Sequence, residues 1–158
     1  IRKAYETGCT FFDTAEVYGD VMFYPGHNEQ LVGKAISGFR KDVVLATKLF
    51  IYSEELCGGK SVCEAVRTHL EKSLANLNTD YIDLYYLHRI NAEIPLEEVA
   101  EAMGGLIKKG VIRAWGLLQV GVETLAKAHA ITPVAAVQNR RYSLIAWNTV
   151  SASCRSPQ

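Results

Sequence analysis

The 158-residue chain is long enough to bury a core of its own and short enough to be about one domain. Its 17 Lys plus Arg balance 17 Asp plus Glu with no block of like charge. That excludes the electrostatic footprint of a nucleic-acid or membrane-surface protein and leaves small molecules or proteins as partners.

Cys9, Cys57, Cys63 and Cys154 form no C-x-x-C pair and no metal-type spacing with histidine, so no metal site and a reduced, intracellular compartment are expected. Ile1 to Tyr5 carries no apolar signal core, and no apolar run approaches the roughly 20 residues that span a bilayer. The expectation is a soluble, cytoplasmic protein with no membrane partner.

Two periodicities alternate along the chain. Ile1 to Thr7 reads as the end of a helix. Short runs rich in β-branched and aromatic residues then predict buried parallel strands at Thr10 to Thr14, Val43 to Lys48, Ile82 to Leu87, Ala114 to Leu118 and Ala135 to Gln138. Between them, apolar residues at i, i+3, i+4 spacing predict helices at Asn28 to Ser37, Val62 to Leu77, Leu96 to Lys109 and Val122 to Ala130. Ser61 with Glu64 predicts a capping box, Pro95 suits a first helical turn, and Gly110 is placed as a C′ glycine. The alternation defines an α/β chain.

In a parallel (β/α) barrel the carboxyl ends of all strands open on one face. Asp13, Lys48 and His88 each end a predicted strand, and Tyr18 lies in the loop after the first. A carboxylate, a phenol, an ammonium and an imidazole gathered there would form a proton-transfer site. A closed barrel takes about 250 residues, so five strand signals describe an incomplete one, and the chain is expected to be truncated at both ends. Residues 1–150 are assigned to the incomplete barrel and 151–158 to an irregular C-terminal tail.

The segment Thr10-Phe11-Phe12-Asp13-Thr14-Ala15-Glu16-Val17-Tyr18-Gly19 resembles the Phe-Phe-Asp-Thr-Ala-x-x-Tyr-Gly signature of aldo-keto reductases. Asn28-Glu29 with Val32-Gly33-Lys34-Ala35 is similar to the family's next helix, Ala46-Thr47-Lys48 to its lysine strand, Tyr81 to Arg89 to its histidine strand, and Val137-Gln138 to the strand that holds the nicotinamide amide. The likeness runs from Ile1 to about Leu144 and corresponds roughly to the second to sixth βα units. It implies a partial (β/α)8 TIM barrel and NADPH-dependent reduction of an aldehyde or ketone to an alcohol.

Carried onto this chain, the resemblance makes Tyr18 the general acid, Lys48 the cation beside it, Asp13 the partner that holds Lys48, and His88 a group that orients the carbonyl. A lysine ammonium about 4 Å from a phenolate stabilises it by about 4 kcal/mol at an effective dielectric near 20, which is a sufficient magnitude. The resemblance also assigns Gln138, with Asn139, to the nicotinamide carboxamide.

Two departures stand out. Gly116-Leu117-Leu118 replaces the family's Gly-Leu-Ser, removing a hydroxyl that would reach the carboxamide. Gln138 to Leu144 carries one residue more than the family's Gln-x-x-Tyr-Ser-Leu. The resemblance further implies that later strands and loops, without counterpart here, clamp the pyrophosphate and 2′-phosphate.

Other residues receive ordinary readings. His27 falls in a Gly-Pro loop, His69 on a helix, and His129 at a helix end near the last carbonyls. Gly59-Lys60-Ser61 lacks the earlier glycine of a phosphate-binding P-loop, since position 54 is Glu. Val21, Phe23, Phe50 and Tyr52 hint at a hydrophobic substrate. Two competing outcomes are a non-catalytic binding or regulatory subunit and an inactive truncated fragment that self-associates through open sheet edges. His88 argues against the first, because channel-associated β subunits of this family tend to lack it.

Overall fold

The computed structural model describes residues 1–139 of the chain. Helix α1 (Arg2–Glu6) leads into β1 (Phe11–Asp13), and four crossovers follow: α2 (His27–Ile36) to β2 (Val44–Leu49), α3 (Val62–Leu77) to β3 (Ile82–Leu87), α4 (Leu96–Lys108) to β4 (Ile112–Leu118), and α5 (Val122–Ile131) to β5 (Ala136–Gln138). All four strand pairs are parallel and the spatial order is β1-β2-β3-β4-β5. Strands added in sequence order, without the reversal of a doubly wound sheet, curl into part of a barrel. The curl brings the two edges together across the concave side, where Gln138 Nε2 on β5 donates to Asp13 Oδ2 on β1 at 3.4 Å.

Side-chain parity divides the sheet. Leu45, Leu49, Tyr85, Leu87, Trp115 and Leu117 project outward and join Val66, Leu70, Val99 and Met103 of the helices in the main core. Ala46, Leu84, Tyr86 and Leu118 form a second, small cluster on the concave face, with Ala114 and Ala136 packed against it. Because strand residues alternate faces, Asp13, Lys48, His88 and Gln138 fall on that concave side, two residues beyond Phe11, Ala46, Tyr86 and Ala136 respectively.

The punctuation explains the helix ends. Ser61 Oγ accepts from the Glu64 amide at 3.2 Å and Glu64 Oε2 accepts from the Ser61 amide at 2.9 Å, the capping box that starts α3. Gly110 adopts φ +72° after α4, its amide bonding Ile107 O while Val111 bonds Leu106 O, a left-handed helix stop that a glycine allows without a side-chain penalty. Pro95 stands one position earlier than its sequence reading, as N-cap rather than in the first turn. β4 begins at Ile112, two residues before the predicted start, because Ile82 pairs with Ile112 and Arg113 reaches out to Asp83 Oδ1 at 2.8 Å. His129 Nδ1 accepts from the Val134 amide at 3.1 Å instead of approaching the helix carbonyls. The extra residue in the Gln138 to Leu144 segment and the boundary at 150 lie outside the described residues.

Candidate active site

Lys48 is the buried centre of the concave face. Its side chain is 0% exposed, and its ammonium donates to Asp13 Oδ1 and to the Thr14 carbonyl, each at 2.7 Å. Burying an ammonium is costly unless it is paired and hydrogen-bonded, and these two acceptors meet that need. Asp13 keeps its place because Thr14 donates its amide to Ala46 O, in register with β2, while the Thr14 hydroxyl bonds Asn28 Oδ1 at 2.7 Å on α2.

Tyr18 enters from the β1–α2 loop. Its amide closes a tight turn onto Ala15 O at 3.1 Å, and its ring centroid lies 5.1 Å from Lys48 Nζ. His88, whose amide bonds Leu49 O at 2.8 Å, presents its ring edge-on to Tyr18 at 6.0 Å and 84°. Burial, with Lys48 and Arg89 adding like charge, pushes the His88 imidazole below its usual range, so near neutral pH it is uncharged and offers one N–H.

A cavity of about 270 Å³ opens among Tyr18, His88, Arg89, Leu118, Gln138 and Asn139, just below the roughly 300–1,000 Å³ of typical ligand pockets. A larger groove of about 840 Å³ lies elsewhere, along Phe39, Arg40, Asn78 and Tyr81, and none of the strand-end residues above lines it. The smaller cavity is the one that Tyr18 and His88 line. Among the described residues the exposed Gln138 amide makes one side-chain contact, the long one with Asp13, which uses one of its two N–H donors and neither lone pair of its oxygen. Asn139 lines the same cavity, yet its amide is engaged with the Val120 backbone, accepting at 3.2 Å and donating at 3.3 Å. Leu118, 7% exposed, presents an apolar wall beside them.

All four strand-end and loop residues singled out in the sequence therefore meet on one face, with Gln138 at its rim. Sequence reasoning missed Glu16, whose carboxylate accepts from the Phe50 amide at 2.6 Å and meets His69 Nδ1 at 2.7 Å. It also missed the pairing of His69, 7% exposed on α3, with Glu16 and Glu55. The available signal was its place on the apolar face of that helix, next in phase to Ala65 and Val66 and before Ser73. Among the described residues no cluster of His, Cys, Asp and Glu could hold a metal ion, and no helix is long and apolar enough to cross a membrane.

The buried lysine, the carboxylate, the tyrosine and the histidine thus gather at one end of a parallel (β/α) half barrel. The family model described as "Aldo/keto reductase family" matches residues 1–155, and the chain belongs to that family. It is 40% identical over 141 residues to "Probable aldo-keto reductase 1" of Glycine max, covering 87% of this chain and 39% of that protein. Among solved structures, the thermostable aldo-keto reductase Tm1743, crystallised with the inhibitor epalrestat, superposes with a TM-score of 0.76 at 34% identity, over 89% of this chain and 48% of that one. An aldo/keto reductase from Klebsiella pneumoniae, crystallised with NADP and acetate, gives 0.66 at 39% identity, over 80% and 40%. The chain thus spans less than half the length of these relatives.

Proposed function

We propose that this chain supplies the proton-transfer site of an NADPH-dependent oxidoreductase that reduces aldehydes or ketones to alcohols. The observation that carries the reading is the buried Lys48 ammonium, fixed by Asp13 and Thr14 and turned toward the Tyr18 ring at 5.1 Å. At that distance a full charge on the ring would be stabilised by about 3 kcal/mol at an effective dielectric near 20, less where water reaches the ring. Tyr18 is 40% exposed, so the proton it gives to the carbonyl oxygen can be replaced from solvent. His88, uncharged, donates its N–H to the same oxygen and orients the carbonyl.

The residues present fit the nicotinamide end of the cofactor through Gln138, whose amide can pair with a carboxamide. Crystals of the Klebsiella pneumoniae relatives with NADP and with NADPH support that choice of cofactor. When bound, NADPH supplies the hydride that the carbonyl carbon accepts as its oxygen takes the Tyr18 proton. Val21, Phe23 and Tyr52, all exposed in the loops after β1 and β2, support an apolar substrate.

Leu118 and the Asn139–Val120 pairing favour a second reading, a binding subunit with a weakened carboxamide site. Fluorescence titration with NADPH, followed by NADPH oxidation with a panel of apolar aldehydes, separates the two. Binding with turnover is the expected result, binding without turnover selects the second reading, and absence of binding overturns both.

A further inference from the structure

At the base of the Tyr18 loop Glu16, His69 and Glu55 form a clamp, none of them lining the cavity or belonging to the concave cluster. His69 projects from α3 with Nδ1 2.7 Å from Glu16 Oε2 and Nε2 2.9 Å from Glu55 Oε2. An ionised carboxylate can only accept, so a ring that meets one at each nitrogen must donate from both and carries a positive charge in this arrangement. Glu55 is itself fixed by the Tyr52 amide at 2.9 Å within the 3₁₀ turn Ser53–Leu56, so the clamp draws together α3 and the loops after β1 and β2.

Glu16 is the knot. Its amide donates to the carbonyl of Lys48 at 3.2 Å, its Oε1 accepts from Phe50, and its Oε2 is held by His69. Tyr18 follows two residues later, its amide donating to Ala15 O at 3.1 Å to close the turn between them. Any movement of Glu16 therefore passes to the strand end that carries Lys48 and to the turn that carries Tyr18. A helix residue needed only to fill the core would serve better as Leu or Met, since a charge on that face must be desolvated.

We propose that His69 is a positioning residue for Tyr18, acting through Glu16, with Glu55 holding its other nitrogen. The proposal rests on the reading of Tyr18 as the acid, and it concerns geometry that exists without cofactor.

The test labels tyrosines with 13C at Cζ in the full chain and assigns the Tyr18 resonance by its loss in Tyr18→Phe. In His69→Gln, which retains one donor, and in Glu55→Gln, made in an exterior loop, the Tyr18 resonance shifts. In the same variants kcat for carbonyl reduction falls by about 10- to 100-fold, the scale of a misplaced reacting group, while NADPH affinity is unchanged. A histidine that merely ties α3 to the barrel would lower the melting temperature and leave the Tyr18 resonance in place. An unmoved resonance in either folded variant overturns the proposal, as does a moved resonance with undiminished kcat. Should the unmodified chain bind NADPH without turning over any carbonyl, the reductase reading fails while the resonance alone still decides the clamp.

Discussion

The Lys48 ammonium lies 2.7 Å from Asp13 Oδ1, and the two partners are unequally buried: the lysine side chain is 0% exposed and the aspartate side chain 25%. Losing either residue leaves the other without its countercharge, but only the aspartate can turn to water. Asp13→Ala should therefore destabilise more than Lys48→Met, toward the roughly 3–5 kcal/mol cost of stranding a buried charge. Urea denaturation of both variants checks the order. Equal or reversed losses would mean that water reaches the ammonium.

His69 and His88 are shifted in opposite directions, so their combined contribution to stability should be greatest near neutral pH. For His69, burial is the largest influence and pushes the imidazole down, but the hydrogen bond and charge of Glu16 together with Glu55 outweigh it, and the net shift is upward. A raised value gives stabilisation that is complete below about pH 6.5 and is lost as pH rises through the folded value. His88 is shifted down by burial, Lys48 and Arg89, so its contribution is complete above about pH 6.5 and is lost as pH falls through its folded value. Urea midpoints across this range should lose their alkaline decline in His69→Gln and soften their acid decline in His88→Asn. Unchanged profiles in both variants would contradict the assignment.

Leu118 stands where the family pattern places a serine, on the wall shared with Gln138. Leu118→Ser should tighten NADPH binding by about 2- to 10-fold, the worth of one net hydrogen bond, while lowering the melting temperature through lost apolar burial. Fluorescence titration reads the first effect and calorimetry the second. Weaker binding in a folded variant would show that this wall does not face the carboxamide.

Gly33 sits where α2 crosses α3, and a Cβ there would overlap the carbonyl of Leu77. Helix propensity alone favours alanine over glycine by about 1 kcal/mol. Overpacking of about 1–3 kcal/mol should win, so Gly33→Ala is expected to lower the urea midpoint. A raised midpoint would show that the two helices separate without cost.

Much of this was legible along the chain, for local reasons. Asp13 and Gln138 end their strands, Lys48 stands one residue before the end of β2 because the strand runs on to Leu49, and His88 directly follows β3, so period-two alternation already puts them on a common face. The bounds of α3 agree with the reading because its capping box is written in Ser61 and Glu64. What escaped depends on contacts between distant segments. Glu16 and His69 are 53 residues apart, so a search for partners at helical spacing finds none. Asn139 reads as a carboxamide ligand by position, and only the folded β4–α5 loop shows its amide turned to Val120. Arg113 extends β4 because Asp83, 30 residues earlier, accepts it.

Tyr18, as the proposed proton donor, is the residue on which carbonyl reduction at this site depends most directly. Tyr18→Phe removes one hydroxyl from a ring that has no hydrogen bond to lose among the described contacts, so the fold and NADPH affinity should persist. Stopped-flow measurement of NADPH oxidation with an aldehyde at saturating cofactor should then show the chemical step slowed by about 100- to 10,000-fold, the range of a lost general acid. A Tyr18→Phe chain that binds NADPH and oxidises it at the unmodified rate would contradict the account.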